Sequence, residues 1–434
     1  MVRVVGDAPS GAATTGARRA TLAATPQPPC RFCGAPLEHV FADLGMSPVA
    51  NDNVPLAQAD AMEPFFPLCA LVCGRCFLVQ LAPFQTEKPL FREDYAYFSS
   101  FSTSWLEHCR RYTEQMTERL ALGAHSQVIE LASNDGYLLQ YFQQAGIPVL
   151  GIEPTENTAA AAREKGIPTR VEFWGEDTAR AVAAETRADL LLGNNVLAHV
   201  PDINDFVAGM KIALKPGGTI TIEFPHLLKL IELNQWDTIY HEHYSYLSFG
   251  TVGRVFEAHG LRLFDVQELP THGGSLRIFG CHDDDPRAPS AAASGLLERE
   301  RLAGLEDVQT YLDYDARVVE DKRQILTFLI ELKRAGNSIA GYGAAAKGNT
   351  LLNYCGVGRD FLDFTCDANP HKQDHVLPGT HIPILSPDAI RDHRPDVVLI
   401  LPWNIKDEVM EQLAYVREWG GRFAARSPEL RLFE

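Results

Sequence analysis

Short apolar runs alternate with longer Ala-rich segments between residues 86 and 270. Three of these runs, at 127–131, 149–153 and 189–192, have the length of buried strands. The segments between them have the composition of helices. Such an alternation predicts an open, mostly parallel α/β sheet in the middle of the chain.

The alternation returns in the C-terminal part of the chain. Residues 283–295 (DDDPRAPSAAASG) have the composition of a linker. A long amphipathic helix follows, and the apolar residues that share one of its faces are Val318, Ile325, Leu329 and Leu332. Two further strands are predicted at 338–343 and 396–401. The chain therefore contains a second α/β unit.

The N-terminal part of the chain has a different composition. Residues 1–28 are rich in Ala, Thr, Gly and Pro and lack the apolar core of a signal peptide. We expect a disordered tail, because this stretch cannot bury enough apolar surface to fold, and a transit peptide is the less favoured alternative. A Cys-rich segment follows. The expected domains are a tail (1–28), a Cys-rich domain (29–85), and α/β domains at 86–282 and 283–434.

Composition narrows the choice of partners. The 434 residues carry a formal net charge of −17 and no block of Lys and Arg, so we expect no nucleic-acid partner. No apolar run reaches the ~18 residues of a membrane-spanning helix, so we expect no membrane partner. Five of the nine cysteines fall between residues 30 and 76, which does not suit a disulfide framework. These features predict a metal site in a reducing, cytoplasmic environment.

Two C-x-x-C knuckles contain four of the clustered cysteines: Cys30 with Cys33, and Cys73 with Cys76. This spacing lets both thiolates of a knuckle reach one tetrahedral Zn²⁺ ion. The gap between the knuckles is longer than in a common zinc ribbon, so we expect an inserted loop. Four thiolates leave no open coordination position, which predicts a structural zinc ion in this domain. Cys69 is expected to be buried without binding the metal.

A cofactor-binding turn is predicted where the first strand of the middle sheet meets its helix. The segment 130–137 (ELASNDGY) follows the pattern E-x-G-x-G-x-G from Glu130 to Gly136, with Ala132 and Asn134 in place of two glycines. Small residues there let the backbone approach a ligand, and the helix N-terminus presents free N–H groups. The turn alone does not identify the ligand.

Further residues of the same sheet indicate which cofactor the turn binds. Glu153 ends the next strand, where a carboxylate can accept both hydroxyls of a ribose. Asn194 and Asn195 end a later strand, at the edge of the sheet where ligands bind. KPGG follows at 215–218 and precedes another strand. Two strand-end acids and this turn, in this order, favour S-adenosylmethionine over NAD.

Polar side chains are concentrated at 240–244 (YHEHY), shortly after EFPH at 223–226. Core packing does not explain them, because buried polar groups need partners. The open interpretations are a second metal site, a solvated loop and acid–base chemistry. We favour the third, because HEH lacks the i, i+4 spacing of a helical metal motif and imidazole titrates near neutrality.

In these motifs the chain resembles the sugar C-methyltransferases of deoxysugar biosynthesis, which act at C-3′ of nucleotide-linked 4-keto sugars. Besides the two knuckles, the matching segments are FREDYAYFSSFS (91–102), GNNVLAHVPD (193–202), EFPHLL (223–228), YHEHYSYLSF (240–249), THGGSLR (271–277) and GYGAAAKGNTLLN (341–353). The resemblance implies an α/β protein with a small N-terminal zinc-binding domain, a Rossmann-like class I methyltransferase domain, and a second Rossmann-like domain at the C-terminus.

The resemblance also implies catalytic residues. His243 is the expected base, with Glu242 and Tyr240 as its polar partners. A further tyrosine comes from the 91–102 segment, where we favour Tyr97 over Tyr95. The expected substrate is a sugar linked to a nucleoside diphosphate, with thymidine diphosphate as the default and guanosine diphosphate as the alternative.

Two sets of binding residues follow from these motifs. The turn and the strand ends assign to the cofactor Glu130, Ala132, Asn134, Gly136, Glu153 and Asn194. The residues expected to contact the sugar nucleotide are Asn195, His199, His226, His272 and Lys347. Lys347 is expected at the diphosphate, and its alternative is a surface lysine after a packing turn. For His272 the alternative is a turn between domains.

Two other functions compete with the C-methyltransferase. The turn 341–347 follows a strand and contains Gly-x-Gly, so an NAD(P)-dependent sugar-nucleotide oxidoreductase is one of them. The other is a zinc-bearing α/β scaffold without catalytic activity. The acid at the first strand and the dense polar cluster at 240–244 weigh against a scaffold.

Overall fold

The computed structural model describes residues 27–84, 98–426 and 429–434. These residues form three β-sheets, of four, seven and eight strands. Within the described ranges, no helix combines the length and apolarity that crossing a bilayer requires.

The N-terminal segment consists of short strands around the two knuckles. Its strands are β1 (His39–Ser47), β2 (Val54–Pro55), β3 (Phe66–Val72) and β4 (Val79–Leu81). Strand β3 pairs antiparallel with both β1 and β4. The first knuckle precedes β1 and the second joins β3 to β4, so the sheet brings the two knuckles together.

The middle part of the chain alternates helices and strands, as the apolar pattern predicts. Its elements are α1 (Thr103–Arg119), β5 (Val128–Leu131), α2 (Leu139–Gln144), β6 (Val149–Ile152), α3 (Glu156–Glu164), β7 (Thr169–Arg170), α4 (Glu176–Glu185), β8 (Ala188–Asn194), α5 (Ile203–Ala213), β9 (Leu214–Pro225), α6 (Leu227–Glu232), β10 (Ser245–Tyr246), α7 (Phe249–Ala258), β11 (Leu261–Leu269) and β12 (Ser275–His282). The three predicted strands of this part are confirmed as β5, β6 and β8.

Seven of these strands form one sheet, in the order β11-β12-β9-β8-β5-β6-β7. The strands from β9 to β7 are parallel, and β12 is inserted antiparallel between β9 and β11. Within this sheet the chain first forms β5 and then adds β6 and β7 towards one edge. It then crosses back and forms β8 on the other side of β5. The crevice at the carboxyl ends of β5 and β8 is therefore the place where such a sheet binds ligands.

The C-terminal part forms the second α/β unit. Its elements are α8 (Ala291–Leu302), α9 (Val308–Leu312), α10 (Tyr314–Arg334), β13 (Ile339–Tyr342), α11 (Ala346–Cys355), β14 (Thr365–Cys366), β15 (His375–Val376), β16 (Pro383–Leu385), α12 (Asp388–His393), β17 (Val397–Ile400), α13 (Lys406–Gln412), β18 (Arg422–Arg426) and β19 (Leu430–Phe433). The sheet order is β19-β18-β17-β13-β14-β16-β15-β2, with a parallel centre from β18 to β16. Strands β13 and β17 confirm the two predicted runs.

The long helix α10 confirms the predicted amphipathic helix, because all four residues of its apolar face are buried. The linker before it is shorter than expected. Helix α8 begins at Ala291, and the Ser290 side chain caps it by accepting a hydrogen bond from the Ala293 N–H. A serine cap followed by three alanines is a typical helix start. The linker-like composition of 283–295 as a whole did not indicate this start.

The sheets exchange strands across the expected domain boundaries. Strand β10, from the middle of the chain, pairs with β4 and completes the N-terminal sheet. Strand β2, from the N-terminal segment, pairs with β15 at the edge of the C-terminal sheet. Both are two-residue strands, which carry no detectable hydrophobic period. The N-terminal segment is therefore joined to both α/β units.

A buried ion network joins the two α/β units. Arg426, in β18, donates hydrogen bonds to Asp237 Oδ1 at 3.1 Å and to Asp321 Oδ2 at 2.7 Å. Asp237 precedes the polar loop at 240–244, and Asp321 belongs to α10. All three side chains are buried. A buried carboxylate is stable only when it is paired, so this network fixes the loop against the C-terminal sheet.

We predict that Arg426→Met lowers the free energy of unfolding by about 3–5 kcal/mol, because it leaves two carboxylates buried without their cation. Guanidinium denaturation of the full chain measures the change. The matched control is Arg431→Ala, which removes an exposed ion pair with Glu429. The control should cost less than about 1 kcal/mol. Equal losses in the two variants would show that the network does not hold the units together.

Candidate active site and zinc site

The two knuckles meet at one point in the structure. The Sγ atoms of Cys30 and Cys76 lie 3.6 Å apart and those of Cys33 and Cys73 lie 3.5 Å apart. All four sulfur atoms lie within 4.8 Å of one another. Four thiolates bound to one Zn²⁺ at about 2.3 Å have sulfur–sulfur distances of about 3.8 Å, so the cluster fits tetrahedral zinc. Cys69 is buried in β3 and is not part of the cluster.

We predict that Cys76→Ser abolishes stoichiometric zinc binding, because three thiolates and a hydroxyl form a much weaker site. Metal analysis of the purified protein measures the zinc content. Cys69→Ala is the matched control, since it removes a neighbouring cysteine outside the cluster, and it should retain the ion. Retention of a full zinc equivalent by Cys76→Ser would overturn the assignment of the ligands.

The turn between β5 and α2 has the backbone of a glycine-rich loop, although a glycine occupies only one of its three pattern positions. The φ angles of Ala132, Asn134 and Gly136 are 54°, 48° and 74°. These are the three positions at which the E-x-G-x-G-x-G pattern has glycine, and a left-handed φ is the reason why glycine is favoured there. The departures from the pattern therefore preserve its geometry.

Two buried carboxylates lie beside this turn. Glu153 Oε2 accepts a hydrogen bond of 2.8 Å from the Asn134 N–H, and Glu153 Oε1 accepts one of 2.9 Å from the Thr155 N–H. Glu130 is fully buried beside the Tyr137 hydroxyl. Burial raises the pKa of both carboxyl groups. Glu153 therefore braces the turn, and both carboxyl groups retain oxygen lone pairs on its side of the sheet.

The carboxyl end of β8 leads from this turn to the polar loop. The Asn194 Nδ2 atom lies 3.5 Å from the hydroxyl of Tyr137, which belongs to the cofactor turn. The next residue, Asn195, has its Nδ2 atom 3.1 Å from His272 Nε2. Both Asn195 and His272 have left-handed backbones, with φ of 53° and 54°. The predicted cofactor residues and two of the predicted substrate residues therefore lie along one crevice.

His243 lies in this crevice as a neutral imidazole with a defined tautomer. Its Nδ1–H donates a hydrogen bond of 2.9 Å to the Thr238 carbonyl oxygen, which can only accept. The Nε2 atom therefore carries the lone pair. The side chain is buried, and burial together with His199 lowers the pKa of His243 well below its ordinary value of 6.5. An uncharged imidazole with an available Nε2 is the form that removes a proton.

Tyr240 and His199 surround this imidazole. The Tyr240 ring centroid lies 3.9 Å from that of His243, and the His199 centroid lies 4.7 Å from it. His199 Nδ1–H donates to the Glu242 carbonyl oxygen at 2.7 Å, and burial lowers the pKa of His199 to about 4. The structure thus brings the expected base together with Tyr240, one of its two expected polar partners, and with His199, which was expected to contact the sugar nucleotide.

The N-terminal segment holds the polar loop from one side. Asn51 donates to Glu242 Oε1 through its backbone N–H at 3.3 Å and through Nδ2 at 2.9 Å. His241 Nε2–H donates to the Pro67 carbonyl oxygen at 3.2 Å. Pairing of β10 with β4 secures the end of the loop. Burial raises the pKa of the Glu242 carboxyl group.

Lys347 reaches the crevice from the C-terminal sheet. Its Nζ atom donates to Asn404 Oδ1 at 2.7 Å and lies 4.6 Å from the centroid of the Trp403 ring. Burial lowers the pKa of Lys347 to about 8. Burial and the charge of Lys347 lower the pKa of His272 to about 4, and the same charge acts on His243. The ammonium group is therefore within electrostatic range of both imidazoles.

The structure separates His226 from the other predicted site residues. Its Nε2 atom lies 2.7 Å from Glu300 Oε1, and the side chain is 1% exposed. Glu300 also accepts hydrogen bonds from the N–H groups of Phe249 and Gly250. The imidazole therefore ties the start of α6 to α8, and the same carboxylate ties α8 to α7; the expected contact of His226 with the substrate stays a prediction. Tyr95 and Tyr97 lie outside the described residues.

A buried group that the sequence analysis did not assign lies at the end of β9. Glu223 accepts hydrogen bonds from Arg277 at 2.6 Å and from Thr271 at 2.9 Å, and its Oε2 lies 2.9 Å from His108 Nε2. Burial would raise the pKa of Glu223, but His108 and Arg277 lower it to about 2. EFPH contains Glu223, and THGGSLR contains both Thr271 and Arg277, so the co-occurrence of these two segments was the signal for the group in the sequence.

Packing and a side-chain bond explain the turn 341–347. A Cβ atom on Gly343 would lie 2.5 Å from Pro402 Cδ, and one on Gly341 would lie 2.7 Å from Thr365 Oγ1. Asp367 Oδ2 accepts a hydrogen bond of 2.7 Å from the Ala344 N–H, so a carboxylate already occupies the turn. This arrangement disfavours a dinucleotide at this position and with it the oxidoreductase alternative.

The strand order of the seven-stranded sheet and its left-handed cofactor turn define a class I S-adenosylmethionine-dependent methyltransferase. Residues 30–91, 105–266 and 270–428 match the sequence families described as a zinc binding domain, a methyltransferase domain and a C-methyltransferase C-terminal domain. The chain is 34% identical to C-methyltransferase NovU of Streptomyces niveus over 404 residues, which cover 93% of this chain and 96% of that protein. The chain therefore belongs to the C-methyltransferase family.

Two other methyltransferases match smaller parts of the chain. A ubiquinone biosynthesis O-methyltransferase of Rhodopseudomonas palustris is 27% identical over 115 residues, which cover 26% of this chain and 45% of that protein. The crystal structure of magnesium protoporphyrin IX methyltransferase from Synechocystis PCC 6803 covers 40% of this chain and 82% of its own, with 13% identity and a TM-score of 0.33. Methyltransferase activity and the two expected cofactors, S-adenosylmethionine and zinc, are confirmed.

Proposed function

We propose that this C-methyltransferase methylates C-3′ of a nucleotide-linked 4-keto-6-deoxysugar, with His243 as the base. The observation that carries the proposal is the tautomer of His243. Its Nδ1–H is committed to the Thr238 carbonyl, so Nε2 is available as a proton acceptor. A methyl transfer to carbon needs such a base, because a C–H bond must be broken before the carbon can act as a nucleophile.

A ketone next to the reacting carbon makes this proton removal feasible. Loss of the C-3′ proton spreads charge onto the 4-keto oxygen, and a nearby donor stabilises that charge. Tyr240, whose ring lies against that of His243, is the described side chain best placed for this role. S-adenosylmethionine supplies the electrophilic methyl group. The side chains along the crevice hold the two carbons in line, which contributes much of the rate.

The charge around the crevice supports a phosphorylated substrate. The chain as a whole is strongly acidic, yet a buried ammonium group, Lys347, faces the histidine cluster. An ammonium group in that position pairs well with a diphosphate. A nucleoside diphosphate would extend from there over the C-terminal sheet, and thymidine diphosphate is the nucleotide that we propose.

We predict that His243→Ala retains binding of S-adenosylmethionine but lowers turnover by about 10²–10⁴-fold, because the base that removes the proton is lost. Mass spectrometry of a panel of nucleotide-4-keto-6-deoxysugars, incubated with labelled S-adenosylmethionine, measures methyl transfer. The loss of C-3′ deuterium to solvent in the presence of S-adenosylhomocysteine measures proton removal alone.

His259→Ala is the matched control, since this partly exposed imidazole bonds to Asn204 and not to a member of the histidine cluster. It should exchange C-3′ deuterium at the rate of the unaltered enzyme. Exchange at the normal rate in His243→Ala would remove His243 from the role of base. Methylation at oxygen rather than carbon would refute the proposed reaction.

The pH profile should reflect the two shifted groups. Because the pKa of His243 lies well below 6.5, the imidazole stays neutral as the pH falls through that value, and kcat/KM should stay level there. Lys347 loses its charge as the pH rises through about 8, so the KM for the nucleotide sugar should rise above that pH. Steady-state kinetics between pH 6 and pH 9.5 tests both expectations.

Lys347→Arg provides the control for the alkaline side, because a guanidinium group remains charged throughout this range. Its KM should be independent of pH above 8, whatever its absolute value. A rise in KM that persists in Lys347→Arg would assign the alkaline dependence to another group. A fall in kcat/KM centred on pH 6.5 would show that the base is an ordinary solvated imidazole.

A further inference from the structure

Trp403 lies where the two α/β units meet and contacts each of them. It follows β17 of the C-terminal sheet, and its side chain is 8% exposed. Its Nε1–H donates a hydrogen bond of 2.6 Å to Asp237 Oδ2, on the segment that leads into the polar loop. One tryptophan therefore joins the C-terminal sheet to the loop that carries the proposed base.

The hydrogen bond to Asp237 reaches the base through the backbone. Asp237 is fully buried, and its other oxygen is bound to Arg426. The next residue is Thr238, whose carbonyl oxygen accepts the Nδ1–H of His243. The anchored Asp237 carboxylate therefore helps to fix the backbone that presents this carbonyl. A shift of the carbonyl would release Nδ1–H and with it the single tautomer of the imidazole.

The ring of Trp403 has two further neighbours in the crevice. The Lys347 Nζ atom lies 4.6 Å from the ring centroid, at a distance typical of a cation–π contact. On another side the ring packs against Gly273, where a Cβ atom would lie 2.4 Å from Trp403 Cη2. Gly273 follows His272 directly, so any movement of the ring displaces that turn.

We propose that Trp403 is a positioning residue, which aligns the base loop, the Lys347 ammonium group and the His272 turn around the sugar nucleotide. The inference rests on the proposed function for the identity of the substrate, and it assigns a role to a residue that does not itself react. The indole N–H and the indole ring have separate tasks. The N–H sets the tautomer of His243, and the ring holds Lys347.

Substitution can separate the two tasks. Trp403→Phe keeps an aromatic ring and removes the N–H, so we expect the rate of C-3′ deuterium loss and kcat to fall roughly tenfold or more, with little change in KM. Trp403→Leu removes the ring as well, so the KM for the nucleotide sugar should also rise roughly tenfold. Deuterium loss, steady-state kinetics and thermal unfolding are measured on the full-length zinc-bound protein.

Trp419→Phe is the matched control. Trp419 belongs to the same part of the chain and donates its Nε1–H to the Pro395 carbonyl oxygen at 3.1 Å, away from the crevice. Both Phe variants lose one indole hydrogen bond, and Trp403→Phe should lower Tm more, because it leaves an oxygen of a buried carboxylate without its donor. If Trp403→Phe keeps the kcat of Trp419→Phe at a temperature where both are folded, Trp403 is merely structural and the proposal is overturned.

A spectroscopic readout keeps the test independent of the substrate. The ¹⁵N shifts of the imidazole, assigned by comparison with His243→Ala, distinguish an Nδ1–H tautomer from a mixture. We expect a single tautomer in the unaltered protein and in Trp419→Phe, and a mixture in Trp403→Phe. An unchanged tautomer in Trp403→Phe overturns the proposal. Absence of deuterium loss from every sugar nucleotide in the unaltered protein refutes the proposed function instead, and the ¹⁵N comparison still decides the role of Trp403.

Discussion

The hydrogen bond from His243 Nδ1–H to the Thr238 carbonyl is the interaction on which the proposed chemistry depends. It exists only because the loop around it is buried and held on both sides. A loop with two imidazoles and a carboxylate is costly to bury unless each polar group meets a partner. Those partners come from sequence-distant parts of the chain. The arrangement of the three sheets follows from this requirement.

The zinc ion has an indirect place in this arrangement. The segment between the knuckles is long because it does more than connect ligands. It forms most of the N-terminal sheet, supplies the Asn51 contact to Glu242, and ends in β3, which pairs with β4, the strand that receives β10. A segment as short as this one would have too small a core of its own to stay rigid alone. The metal provides that rigidity, so a structural ion supports an active site it does not enter.

Local patterns in the sequence predicted much of the fold and part of the site. Strand and helix periods, the C-x-x-C spacing and the strand-end acids each reflect geometry within a few residues, and the structure agrees with them. The partners of Arg426 could not be predicted, because one of them lies 189 residues away and no local pattern encodes it. His226 shows the same limit. Its polarity indicated that it needs a partner, but not that the partner is Glu300.

The two-residue strand β2 has a consequence for biosynthesis. Pro55 pairs with His375, so the edge of the C-terminal sheet joins residues separated by about 320 positions. A ribosome adds about 5–20 residues per second, so the N-terminal segment emerges on the order of half a minute before its partner. During that interval its backbone groups at β2 have no sheet to join. Completion of the fold must therefore follow release of most of the chain, and the N-terminal segment is exposed to chaperones and metal donors in the meantime.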